Sequence, residues 1–207
     1  IIAKWVEKFA KENGGEIVAM EFFPLDVSEF GPTIQKIQAA GPNQVFSALV
    51  GGAQASFYRQ WHAAGMSEKI PLTSSTFSHG QEQLVLSAEE GNGIITFAQY
   101  VESVDNPSNK AFVEKWHKRF GADYPAITEF AAATYQGMHL WAKAVTAAGT
   151  VDRMPVIEAL EGGIAFDGPT GKVTVDKGTH HLTVDARMSV TKDKKFEVLN
   201  EWSQIEP

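Results

Sequence analysis

The 207-residue chain has no cysteine. Disulfides, thiolate nucleophiles and cysteine-based zinc sites are therefore excluded, while export and cytosolic residence both remain compatible. Clustered positive charge is scarce as well. The 18 Lys and Arg are outnumbered by 25 Asp and Glu, the net charge is −7, and the densest basic run is Lys192-Asp193-Lys194-Lys195. A phosphate backbone needs a concentrated basic face, so nucleic acid is a poor partner. No apolar run approaches the roughly 20 residues of a bilayer span, and the chain is not expected to be membrane-embedded. The opening IIAKWVEKFAKE has neither the charged n-region nor the apolar h-region of a signal peptide. It reads as an amphipathic helix already under way, with Ile1, Ile2, Trp5, Val6 and Phe9 on one face. Catalytic signatures are missing too. There is no G-x-S-x-G, no H-E-x-x-H and no Cys/His cluster. Ser75 and His79 lie near each other, but spacing alone does not make a triad. No catalytic residue, metal site or cofactor is expected.

Hydrophobic residues make up 43% of the chain, enough for an ordinary core. Asn13-Gly14-Gly15 stops the first helix, and EIVAMEFF (16–23) reads as a buried strand ended by Pro24. Gly31-Pro32 opens a helix through Ala40. QVFSALV (44–50), IPLTSST (70–76) and GIITFAQYV (93–101) read as further strands. Helices are expected at 53–64 and, in a short form, at 81–87. This alternation predicts βαβ units and a parallel sheet. The pattern changes after Tyr100. Helices are expected at 107–120, 126–149 and 152–161, then a turn at FDGPTG (166–171), then short strands with a closing hairpin through TKDKK. Such a break predicts a chain that leaves one sheet and visits another, with crossings near 100–106 and 178–182. Trp5, Trp61, Trp116 and Trp141 fall at helical spacing and read as core.

Two places carry binding chemistry. Gly51 and Gly52 stand between a strand and a helix, where open α/β sheets hold ligands against helix N-termini. The pair fits neither G-x-G-x-x-G nor a P-loop. Glycine there either admits a ligand to the backbone or only supplies positive φ for the turn. Ser74, Ser75 and Thr76 end the next strand on the same predicted edge. Their hydroxyls either contact a small polar solute or N-cap a following helix.

Four stretches, in order, carry a resemblance. They are FGPTIQKIQAAGPNQVFSALVGGAQASFYRQWHAAGM (30–66), VESVDNPSNKAFVEKWHKRFGAD (101–123), EFAAATYQGMHLWAKAVTAAGT (129–150) and FDGPTGKVTVDKGTHHLTVDARM (166–188). Together they resemble the type 1 periplasmic solute-binding proteins of ABC transporters. The likeness is closest to the branch that binds urea and short-chain amides, beside the branched-chain amino acid receptors. The resemblance implies an α/β fold of two parallel-sheet lobes around a cleft. Residues 1–98 would form most of the C-terminal lobe, 99–180 the returning helical part of an incomplete N-terminal lobe, and 181–207 the completion of the C-terminal lobe. It implies an N-terminally truncated receptor, periplasmic or extracellular, whose partners are a small-molecule solute and an ABC transporter permease. Gly51, Gly52, Ser74, Ser75 and Thr76 would face the solute, and Tyr100 would sit at a hinge. A cytoplasmic amide-sensing regulator of the same fold is the alternative. An α/β enzyme would need a nucleophile, base or metal not found here, and a plain interaction fragment would use the glycines only to turn the chain.

Overall fold

The computed structural model describes residues 1–207 throughout. Helix α1 (Ile2–Glu12) and helix α2 (Gly31–Ala40) precede strand β1 (Val45–Ser47). Helix α3 (Gly51–Ala63) carries the chain to β2 (Leu72–Ser74), and the short helices α4 (Glu82–Val85) and α5 (Ala88–Gly91) lead to β3 (Ile95–Ala98). These three strands are parallel, with Ser47 beside Ser74 and Ser74 beside Thr96. Parallel neighbours need a crossover, which α3 provides between β1 and β2. Apolar side chains of α3 pack against the sheet around Phe57, Tyr58 and Trp61, all buried, in a cluster with Phe30, Ile34, Met66, Leu72, Phe77 and Ile94.

After β3 the chain forms α6 (Pro107–Phe120), α7 (Glu129–Ala148) and α8 (Arg153–Glu161). Pro107 occupies the first turn of α6 and Asn106 caps it, its side chain accepting from Asn109 N. Both signals are legible in the sequence. A second apolar cluster forms here from Tyr100, Val101, Val104, Phe112, Ile127 and Ala132. The end of the chain is antiparallel: β4 (Ala165–Gly168), β5 (Gly171–Val175), β6 (Leu182–Lys192) and β7 (Lys195–Ile205). Strand β6 joins the parts. Its first residues pair with β5, its later ones run antiparallel to β3, and its other edge carries β7.

Strand β6 inverts the usual alternation. Its buried positions are polar: Asp185, Arg187, Ser189 and Thr191. Arg187 organises them. It donates through Nη1 to the carbonyls of Gln99 and Thr170 and through Nε to Glu201 Oε2 at 2.8 Å, with Asp185 Oδ2 3.5 Å from Nη2. One guanidinium thus holds the exit from β3, the β4–β5 turn and strand β7 together.

Several expectations need correction. EIVAMEFF is no strand. Residues 16–23 take no regular secondary structure and make no backbone hydrogen bond, and Ile17, Val18, Met20 and Phe22 are exposed. Apolar composition is necessary for a buried strand, but a strand also needs pairing, and this segment pairs with no edge, although β1 ends the sheet. The apolar face of α1 is likewise unpacked, since the helix buries no residue. Of the four tryptophans read as core, only Trp61 is buried; Trp5 and Trp141 are exposed and Trp116 is half-buried. Helical spacing marks a common face and does not say that anything covers it. The strands of the first half are also shorter than the apolar runs that signal them.

Arg187→Ala should destabilise the chain by about 3 kcal/mol, because Asp185 would be left buried without its cation. Urea unfolding of the two proteins measures the difference.

Candidate functional site

The carboxyl ends of β1 and β2 place the sequence-predicted residues together. Ser47 and Ser74 are adjacent in register, and Ser75 N donates to Ser47 O. The chain leaves β1 through Leu49 and Val50 and enters α3 at Gly51. Val50 stands at the helix N-cap with no side chain to offer. The first-turn N–H groups, which have no intrahelical acceptor, are left without a side-chain cap.

The two glycines differ. Gly51 has φ +62°, a left-handed conformation that a residue with a Cβ adopts at a cost. The turn alone accounts for it. Gly52 has no positive φ, and a Cβ built on it would meet no protein atom within 4 Å. Nothing within the chain requires glycine at that position. Both residues are exposed.

The hydroxyls also divide. Thr76 Oγ1 donates to Leu49 O at 2.6 Å and accepts from Gln54 Nε2 at 3.2 Å. Ser74 Oγ accepts from Thr76 N at 3.1 Å and lies 3.2 Å from Thr76 Oγ1. These two side chains are buried and fix the loop by internal bonds. Ser75 Oγ is screened from solvent and has no partner. No helix begins within the next residues, so the trio does not serve as an N-cap. Tyr100 is fully buried, its hydroxyl donating to Asn109 Oδ1 at 2.9 Å. Burial, reinforced by the nearby Glu102 charge, pushes its phenol well above the ordinary tyrosine range. It stays neutral and anchors the segment that leaves β3.

The sequence reading passed over Gln54, Tyr58 and Glu129. Gln54 Nε2 bridges Thr76 Oγ1 and Tyr58 OH, tying α3 to the loop after β2, and Gln54 Oε1 is buried without a donor. Burial raises the Tyr58 phenol above its usual value, so it too remains a neutral hydroxyl. A buried polar residue on the core side of an apolar helix was the available signal. His79, weighed beside Ser75 as catalytic, faces elsewhere. Its Nε2 lies 3.2 Å from Glu129 Oε2, and its ring packs on Phe130. The role of Glu129, in the first turn of α7, comes from tertiary placement. Burial raises the Glu129 carboxyl, against the lowering effect of the Gln99 N–H and of His79. The site therefore offers hydrogen-bond donors, uncapped amides and one unpaired hydroxyl.

Residues 2–195 match the family model described as periplasmic binding protein. The chain is 31% identical over 176 residues to the Leu/Ile/Val-binding protein homolog 6 of Brucella abortus (strain 2308), covering 83% of this chain and 44% of that protein. It superposes with TM-score 0.79 and 26% identity on a solute binding protein of an ABC transporter from Rhodopseudomonas palustris HaA2, whose structure contains p-hydroxybenzoic acid, over 98% of this chain and 56% of that one. An ABC transporter substrate-binding protein from Sphaerobacter thermophilus shares the fold at TM-score 0.86 and 24% identity, again over 98% and 56%. The chain thus spans about half the length of the relatives it matches. No helix is long and apolar enough to cross a membrane.

Thr76→Val should lower stability by about 1–3 kcal/mol, because Gln54 would lose an acceptor inside the core. A thermal melt with calorimetry checks this.

Proposed function

The chain belongs to the periplasmic binding protein family, and on that premise we propose that it forms part of a receptor that captures a small polar solute for import by an ABC transporter permease. The observation that carries this reading is the strand-end site. Ser75 Oγ is unpaired, and Gly52 is a glycine that no internal contact demands. A solute resting there would accept from uncapped α3 amides, and a rotation of Ser75 would bring its screened hydroxyl to the same solute. Ser74, Thr76 and Tyr100 would hold the loops in place from beneath. Capture needs no covalent step. Closing a second surface over the solute replaces its water by fixed donors, and the gain is greatest when those donors are already placed.

The family description supports a periplasmic or extracellular location. Two apolar clusters, one around Trp61 and one around Phe112, with Phe196 packed against both, support the reading of residues 1–98 as the main part of one lobe and 99–180 as part of another, which 181–207 would then complete on the side of the first. Among urea, short amides and amino acids, the branched-chain amino acids are the class that has a named relative at 31% identity. A helix N-terminus also suits their carboxylate. We therefore place an amino acid ahead of urea and amides.

Isothermal titration of the full gene product with leucine, valine, 4-hydroxybenzoate, urea and acetamide tests this. One of the carboxylates should bind. Gly52→Ala should weaken that binding by at least about tenfold, or 1.4 kcal/mol, while leaving the melting temperature unchanged or raised, since Ala is the better helix former. Ser75→Ala should weaken it about fivefold, as the loss of one hydrogen bond does. Unaltered affinity in both variants would remove the solute from this site.

A further inference from the structure

Two glutamates brace the segment that leaves β3 against the entrance to α7, and they do so reciprocally. Glu102, in the first segment, accepts from Ile127 N through Oε2 at 2.6 Å. Glu129, in the second, accepts from Gln99 N through Oε1 at 2.7 Å. Each spare carboxylate oxygen faces a histidine from a different element. His79 Nε2, from the loop after β2, lies 3.2 Å from Glu129 Oε2, and His117 Nε2, from α6, lies 3.7 Å from Glu102 Oε1. Glu129 Oε2 is buried and accepts no hydrogen bond, so the His79 imidazole is the group placed to neutralise it. The loop carrying His79 is tied to the same entrance a second time, by Gln81 Nε2 donating to Ala126 O at 3.1 Å.

We propose that this double Glu–His brace is a pH-responsive joint between the parallel sheet and helices α6–α8. It does not depend on which solute, if any, the strand-end site captures. Imidazoles change charge between about pH 5 and 8. An imidazolium beside each carboxylate pairs with it and tightens the joint, which a neutral imidazole does not. Without the cation, Glu129 is left as a buried carboxylate. Glu129 responds to pH through its own carboxyl as well. Burial raises its carboxyl above the usual range, so the stability linked to it is present at low pH and lost as the pH rises through the raised value. The surrounding groups do not reverse the sign. Glu82 faces His79 and adds negative charge, with its own carboxyl raised by burial. The Tyr100 phenol near Glu102 stays neutral. Arg187 holds its charge on the carbonyl of Gln99. His117 Nδ1 lies against Gly121 O, and Phe130 against His79 is uncharged.

Amide hydrogen exchange at Gln99 and Ile127, corrected for intrinsic rates, is the test. Protection of both amides should fall about twofold to fivefold between about pH 5.5 and about pH 8, within the range expected for partly exposed ion pairs. His79→Gln keeps a donor where Nε2 stood but cannot titrate. It should flatten the response of Gln99, and His117→Gln should flatten that of Ile127. A merely structural role would leave the pH response intact in these variants. Protection independent of pH in the unsubstituted chain, or a full response retained in the doubly substituted chain, would overturn the proposal.

Discussion

Arg187 is the interaction on which the architecture turns. A guanidinium has five donors in a rigid plane and no means of losing its charge. Buried on β6, it must find acceptors, and it finds them on the exit from β3, in the β4–β5 turn and on β7. Those segments are distant in sequence. The arginine therefore specifies how the antiparallel end of the chain closes on the parallel strands. The inverted alternation of β6 follows, because the face that meets the junction is polar and the ordinary rule of apolar-inside gives way where a charge is being satisfied.

The same logic of satisfied polar groups explains the strand ends. A loop at the carboxyl end of a parallel strand cannot be held by the ladder, which has finished. Here the bonds among Ser74, Thr76, Leu49 O and Gln54 replace it. Such a network is rigid when complete, and the single hydroxyl left outside it, on Ser75, stands out for that reason. On the proposed reading, hydroxyls that hold the backbone would keep the remaining one in position before a solute arrives.

Exposed apolar surface is the other consistent feature. The free face of α1, residues 17–22 and the outer side of α7 at Phe130, Met138 and Trp141 all leave large side chains in solvent. They accompany a chain that spans about half the length of its relatives.

By itself the sequence determined the order of the elements, the change of pattern after Tyr100, the caps of α6, the closing hairpin and the strand-end placement of Gly51, Gly52 and Ser74–Thr76. All of these are local: periodicity, glycine, proline and capping residues act within a few positions. It could not show that residues 16–23 go unpaired or that Trp5 and Trp141 stay exposed, because a run of apolar residues looks the same whether or not something covers it. Nor could it separate Ser75 from Ser74 and Thr76, or Gly52 from Gly51. Only the tertiary structure decided which hydroxyl had a partner, which glycine a turn required, and that His79 meets Glu129 rather than Ser75. Hydrogen bonds and ion pairs between residues 20 to 90 positions apart leave no periodic trace in the chain that makes them.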